Sequence, residues 1–150
     1  MAFPIPQKNT GGELPEVNRK VIEFVDMHMD KKVGRGECWD LAAGALDHAD
    51  ADWDGRYGFG EVIDPAKEAI LPGDLVRFKN VVTRDRSGNV TREERMAEHT
   101  AIIYKVHDKG VFDLAHQNTD VAGRKVGVSR FLLNSVVRGK VAFYRPVERS

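Results

Sequence analysis

The sequence predicts an α+β domain in which helices come first and an antiparallel sheet follows. Three observations predict it. Apolar residues recur at three- and four-residue steps only before Asp50. From Asp74 onward, short runs rich in Val, Ile and Phe are separated by turn residues. At 150 residues and 41% hydrophobic, the chain fits one core, with no disulfide or metal needed to hold it.

Residues 1 to 13, with Pro4, Pro6, Gly11 and Gly12, read as an irregular lead-in, and 14 to 150 as a single domain. From Pro15 to about Asp30, Val17, Val21, Phe24, Val25 and Met29 form one face of a helix, with Glu16, Arg19, Lys20, Glu23 and Asp26 on the other. Its methionines, Met27 and Met29, read as packing material rather than functional groups. A second helix is predicted from Glu37 or Cys38 to Ala49, carried by Leu41, Ala42, Ala45 and Leu46. Asp50 to Gly60 is a loop, and Pro65 and Pro72-Gly73 prevent a long helix after it. The first clear strand is Leu75 to Val82. Arg84 to Glu98 mixes Arg with Glu and Asp around Ser87-Gly88-Asn89 and reads as a solvated hairpin tip or excursion. His99 to Val106 and Val111 to Ala115 are two strands joined around Asp108-Lys109-Gly110. A short helix is expected at Ser129 to Leu133 with Ser129 as its cap, and Val141 to Tyr144 closes the sheet.

The 23 basic and 23 acidic side chains cancel. That removes the broad attraction to phosphates or anionic lipids, so neither nucleic acid nor a membrane is expected as a partner. No apolar run of about 18 residues exists, and the first residues lack a signal-peptide pattern, so the chain as written reads as cytoplasmic.

One residue carries the strongest chemical signal. The only cysteine, Cys38, follows Gly34-Arg35-Gly36-Glu37 and opens the second helix. Unpaired N–H groups and the helix dipole there favour negative charge, which makes the thiol a candidate nucleophile; the plain alternative is a small buried hydrophobe. A nucleophilic thiol needs a base, and the base needs an orienting group. Of the five histidines, His28 and His48 lie in helices and His107 beside a turn, which leaves His99 and His116. A hairpin loop with an even number of residues places 99 opposite 118 and 101 opposite 116. His99, His116 and Asn118 then share one face and Gln117 points to the other.

Together with Leu71-Pro72-Gly73-Asp74-Leu75-Val76-Arg77-Phe78, His99-Thr100-Ala101-Ile102-Ile103 and His116-Gln117-Asn118, the Cys38 stretch resembles the NlpC-type and CHAP-type branch of the papain-like cysteine hydrolases. The resemblance implies a papain-like fold, Cys38 as nucleophile, His99 as base, and His116 or Asn118 as the group that orients it. It further implies hydrolysis of a peptide or amide bond, with cell-wall peptide a common substrate of such relatives and no cofactor required. Two departures stand out: Glu37 replaces the Gln that CHAP-type relatives carry before the Cys, and no tyrosine precedes Tyr57. An ionised carboxylate beside the thiol opposes a developing oxyanion. Two other functions therefore stand beside the hydrolase: a papain-like binding module without turnover, with Glu37 as the lesion, and a zinc site of Cys38, His99 and His116.

A second motif, Asp50-Ala51-Asp52-Trp53-Asp54-Gly55 with Glu61 at the twelfth position, fits a calcium-loop spacing. Asp50, Asp52, Asp54 and Glu61 would be the ligands. A solvated acidic loop explains the same residues.

Overall fold

A computed structural model describes residues 14–119 and 123–150. The expected lead-in at 1 to 13 lies outside the described residues. Two helices, α1 (Glu16–His28) and α2 (Cys38–His48), precede six strands: β1 (Glu61–Ile63), β2 (Leu75–Ser87), β3 (Val90–Asp108), β4 (Val111–His116), β5 (Gly127–Leu132) and β6 (Val136–Arg145). The strands form one antiparallel sheet in the order β1-β6-β2-β3-β4-β5. The α+β class read from the sequence is the class observed.

The sheet is buried on both faces, by different partners. On one face Leu75, Ile102 and Ala115 pack with Val17, Val21 and Val25 of α1 and with Leu41, Ala42, Ala45 and Leu46 of α2. On the other, Val76, Phe78, Ala101, Ile103, Leu114, Phe131 and Phe143 form a second core to which, among the described residues, neither α1 nor α2 contributes. The rings of Phe78 and Phe131, on β2 and β5, lie 5.1 Å apart, and those of Phe112 and Phe143, on β4 and β6, lie 5.7 Å apart. The sheet thus curls until non-neighbouring strands meet across its concave side.

Strand boundaries differ from the sequence reading in instructive ways. The charged stretch expected as a solvated hairpin tip or excursion is an exposed hairpin tip, with regular ladder because its charges oppose across the ribbon: Arg84 faces Glu93 and Asp85 faces Arg92. The turn does fall at Ser87-Gly88-Asn89, where Gly88 has φ +62°. The helix expected at Ser129 to Leu133 is instead β5, followed by one 3-10 turn at Leu133–Ser135. The free edge of β4 takes all of Gly127–Leu132 as its partner, and Phe131 lies opposite Phe112. Tertiary pairing there outweighs the local capping signal. The β3–β4 loop is Lys109-Gly110, and two register shifts bring the pairing to Ile102 opposite Ala115. That is the register expected from the sequence, reached through two bulges.

A buried polar clamp ties α1 to the sheet. Asp74, 0% exposed, accepts from Arg145 Nε (2.8 Å) and Nη2 (3.0 Å), from Asn18 Nδ2 (2.9 Å) and from the Leu71 N–H (2.8 Å). Asn18 Nδ2 also donates to Pro72 O at 2.9 Å. The Leu71-Pro72-Gly73-Asp74 motif is therefore a structural corner.

Candidate functional site

The approach to Cys38 is built by backbone geometry that only glycine adopts cheaply. Gly34 and Gly36 have φ +59° and +85°. A Cβ on Gly36 would lie 2.8 Å from the Arg124 Cβ. The loop then enters α2 through Asp40, whose Oδ2 accepts from the N–H groups of Arg35 (2.9 Å) and Glu37 (3.2 Å). This is the reach-back half of a capping arrangement, and it stabilises the helix start by satisfying donors that the helix leaves open. Cys38 is the first residue of α2, as the sequence predicts, and is half-buried.

Gln117 fixes this loop from the sheet side. Fully buried, it accepts from Val33 N at 2.8 Å and donates to Val33 O at 3.1 Å and to Glu37 O at 2.9 Å. The sequence reading left it without a role. Its partners lie 80 and 84 residues away in the chain, so no local pattern reports them.

His99 and His116 do meet, but on the sheet face away from α2. The pairing of β2 with β3 is unbroken from Leu75↔Ile102 to Phe78↔His99. Alternation along β3 puts Ile102 and Thr100 on the helix face and Ala101 and His99 on the concave face, a division that the two cores confirm at 101 and 102. The His99 ring accordingly stacks near Phe78 of the concave core, centroids 6.1 Å apart. Cys38 stands three and four residues before Leu41 and Ala42, on the stripe of α2 that meets the opposite face. Among the described residues its thiol takes part in no hydrogen bond. Alternation thus turns the His99 side chain away from the apolar stripe of α2. The histidines share a face as expected, but Thr100 and Gln117, not His99 and His116, are the residues that face α2.

On the concave side the imidazoles form a chain. His99 Nε2 lies 3.0 Å from His116 Nδ1, and His116 Nε2 lies 2.8 Å from Ser129 Oγ. His116 is 9% exposed, while His99 and Ser129 are half-buried. Burial pushes His99 down to about 4, and burial together with the neighbouring His99 charge pushes His116 down to about 4. Both rings are neutral at pH 7. Ser129 was expected only as a helix cap, and nothing in its local sequence reports its partner.

Asn118 takes no part in that chain. It has φ +61°, and its Nδ2 donates to Glu37 Oε1 at 3.3 Å. Glu37 Oε2 in turn accepts from Arg124 Nη1 at 2.7 Å. The Glu37 carboxylate is thus engaged by a guanidinium and an amide.

The acidic loop is spread out. Asp50 pairs with Arg149 at 3.0 Å, Asp54 accepts from the N–H groups of Arg56 and Gly58, Asp52 donates its backbone N–H to Val147 O, and Glu61 opens β1. Among the described residues no group of three His, Cys, Asp or Glu side chains is gathered where it could hold a metal ion, which applies to the calcium set and to Cys38, His99 and His116 alike.

Next to Cys38, an aromatic surface lies on the helix side. Trp39 donates from Nε1 to Arg56 O at 2.6 Å and lies 5.9 Å from the Trp53 ring. Tyr57, 46% exposed, lies under the Arg77 guanidinium at 3.9 Å, and Arg77 also pairs with Glu98 at 2.9 Å.

Comparison with known proteins agrees with the architecture. No curated protein matches the chain. A solved structure described as the crystal structure of Ly7917 shares the fold with a TM-score of 0.51 at 16% identity, covering 87% of this chain. The chain spans 62% of that structure's length. The family model described as the AIM3/BBC1 cysteine proteinase-fold domain matches residues 2–150. A thiol at the start of a helix packed on an antiparallel sheet is thus seen in a chain that belongs to the AIM3/BBC1 cysteine proteinase-fold domain family.

Proposed function

We propose that this domain is a polypeptide-binding module built on a cysteine proteinase fold, without thiol-hydrolase turnover at Cys38. The observation that carries the reading is the alternation of β3, which turns His99 to the face opposite α2. A general base must reach the proton it abstracts directly or through one water, and alternation sends the His99 side chain off β3 on the face away from the apolar stripe of α2. The surface beside Cys38 suits binding. Trp39, Tyr57 and Arg77 are the residue types that dominate protein interfaces, and Arg77 over Tyr57 gives a flat cationic and aromatic platform for an extended segment.

The competing reading is the peptide or amide hydrolase, with Cys38 as nucleophile, His99 as base, and peptidoglycan peptide among its substrates. What supports it is the shared fold and the position of the thiol; a fold alone does not fix an activity. Iodoacetamide labelling at pH 7 separates the two. Cys38 is expected to react no faster than free glutathione, and quenched fluorescent peptide libraries to remain uncut. Labelling accelerated tenfold or more, and lost in His99→Ala, would establish the hydrolase and end the binding-only reading. Selection from a displayed peptide library is expected to yield binders that Tyr57→Ala and Arg77→Ala each weaken about tenfold or more, on the scale of about 1.4 kcal/mol per factor of ten.

A further inference from the structure

We propose that Ser129, His116 and His99 form a serine-type acyl-transfer site on the concave face of the sheet, acting on esters with a short apolar acyl group. The atoms are arranged as that chemistry requires. A nucleophilic hydroxyl must touch one nitrogen of the base, and the other nitrogen must be held by a third group that fixes the tautomer. Here Ser129 Oγ is 2.8 Å from His116 Nε2, and His116 Nδ1 is 3.0 Å from His99 Nε2. His116 is the buried member at 9% exposed, and the hydroxyl is half-buried. Ser129 sits on β5, an edge strand with β4 as its one neighbour in the sheet, between the exposed Val128 and Arg130. The side chains on the same face are apolar: Phe78 beneath His99, and Leu114 directly opposite Ser129. Both are core residues, 0% and 3% exposed, and this apolar setting favours a neutral ester over a charged substrate.

The two imidazoles can carry one consistent set of protons. Ser129 Oγ–H donates to His116 Nε2, His116 Nδ1–H donates to His99 Nε2, and His99 keeps its remaining proton on Nδ1. In the reaction Ser129 Oγ forms a bond to the ester carbonyl carbon as its proton passes to His116 Nε2. The bond to the alcohol oxygen then breaks, and the alcohol leaves with that proton. Water attacks the acyl-Ser129, giving up a proton through His116, and the carboxylic acid departs as Ser129 recovers its hydrogen. His99 touches no reacting atom and is a positioning residue. The neutral state of both rings at pH 7 leaves His116 free to accept. The site lies across the sheet from the aromatic platform, so it stands or falls independently of the binding reading.

The test uses a fluorophosphonate probe and p-nitrophenyl butyrate on the full chain. The expected result is one adduct, mapped by mass spectrometry to Ser129. Ser129→Ala should abolish it, His116→Gln should slow it at least 100-fold, and the exposed turn variant Ser87→Ala should not change it. His99→Gln, which keeps an acceptor near His116, should retain more labelling and a higher kcat than His99→Leu at similar KM. Ser129→Cys adds a check in one molecule: its new thiol should react with iodoacetamide at least tenfold faster than Cys38. A purely structural triad would give no Ser129 adduct, or one that forms at the same rate in His116→Gln, and either result overturns the proposal. Thermal melts of each variant show that the fold is retained.

Discussion

At the scale of single residues, the chain places its most demanding polar groups where the surroundings settle their charge. Burial raises Asp74, and the Arg145 guanidinium, the Leu71 N–H and the Asn18 amide oppose that rise. Arg145→Met removes the partner and leaves the carboxylate buried, so a loss of about 3–5 kcal/mol is expected in urea unfolding. The double change Arg145→Met with Asp74→Asn should recover part of that loss. The histidine pair gives the opposite pH signature. An unfolded histidine titrates near about 6.5, whereas folded His99 and His116 titrate at about 4. Between those values the unfolded chain binds more protons. Stability from burying the neutral rings is therefore complete above about pH 6.5 and is lost as pH falls toward about 4, at about 1.4 kcal/mol per unit of displacement. Unfolding midpoints measured across that window should show the slope, and a His99→Gln/His116→Gln double variant should flatten it.

At the scale of elements, β3 decides the chemistry. Thr100 is 2% exposed and faces α2, while His99 faces the concave core. Exchanging the two, as His99→Thr with Thr100→His, is expected to bring an imidazole to the thiol side and raise the rate of Cys38 alkylation at least tenfold. No rise would mean that α2 and β3 stand too far apart at that level for the pair to form. The same strand shows how far the sequence can be read. The helix starts, the α+β order, the turn at Gly88 and the meeting of His99 with His116 all follow from local patterns: apolar spacing, glycine punctuation and period-two alternation. Which face of β3 carries the helices does not. Ala101, Ile102 and Ile103 are all buried because both sides are covered, so alternation has no polar phase to mark the outer face. Ser129 was unreadable for a related reason, since its partner is 13 residues away on another strand.

At the scale of the whole molecule, opposite charges are paired locally rather than divided between surfaces. Arg84 with Glu93, Arg77 with Glu98, and Arg130 with Asp113 are exposed or partly exposed cross-strand pairs. Such pairs contribute little, so Arg84→Ala should cost under about 1 kcal/mol by thermal melt, with less effect still in high salt. Among the described residues no helix is long and apolar enough to cross a membrane.

The two cores that share one sheet carry a consequence for how this domain tolerates change. The stretch of β3 covered on both sides has no position at which a substitution is cheap, since every side chain from Ala101 to Ile103 fills a volume in one interior or the other. A saturation scan should therefore find a narrow permitted alphabet across those neighbours and a broad one along the ribbon from Arg84 to Glu94. Sequence drift in the lineage would be channelled into the protruding arm, leaving the middle of the sheet close to frozen.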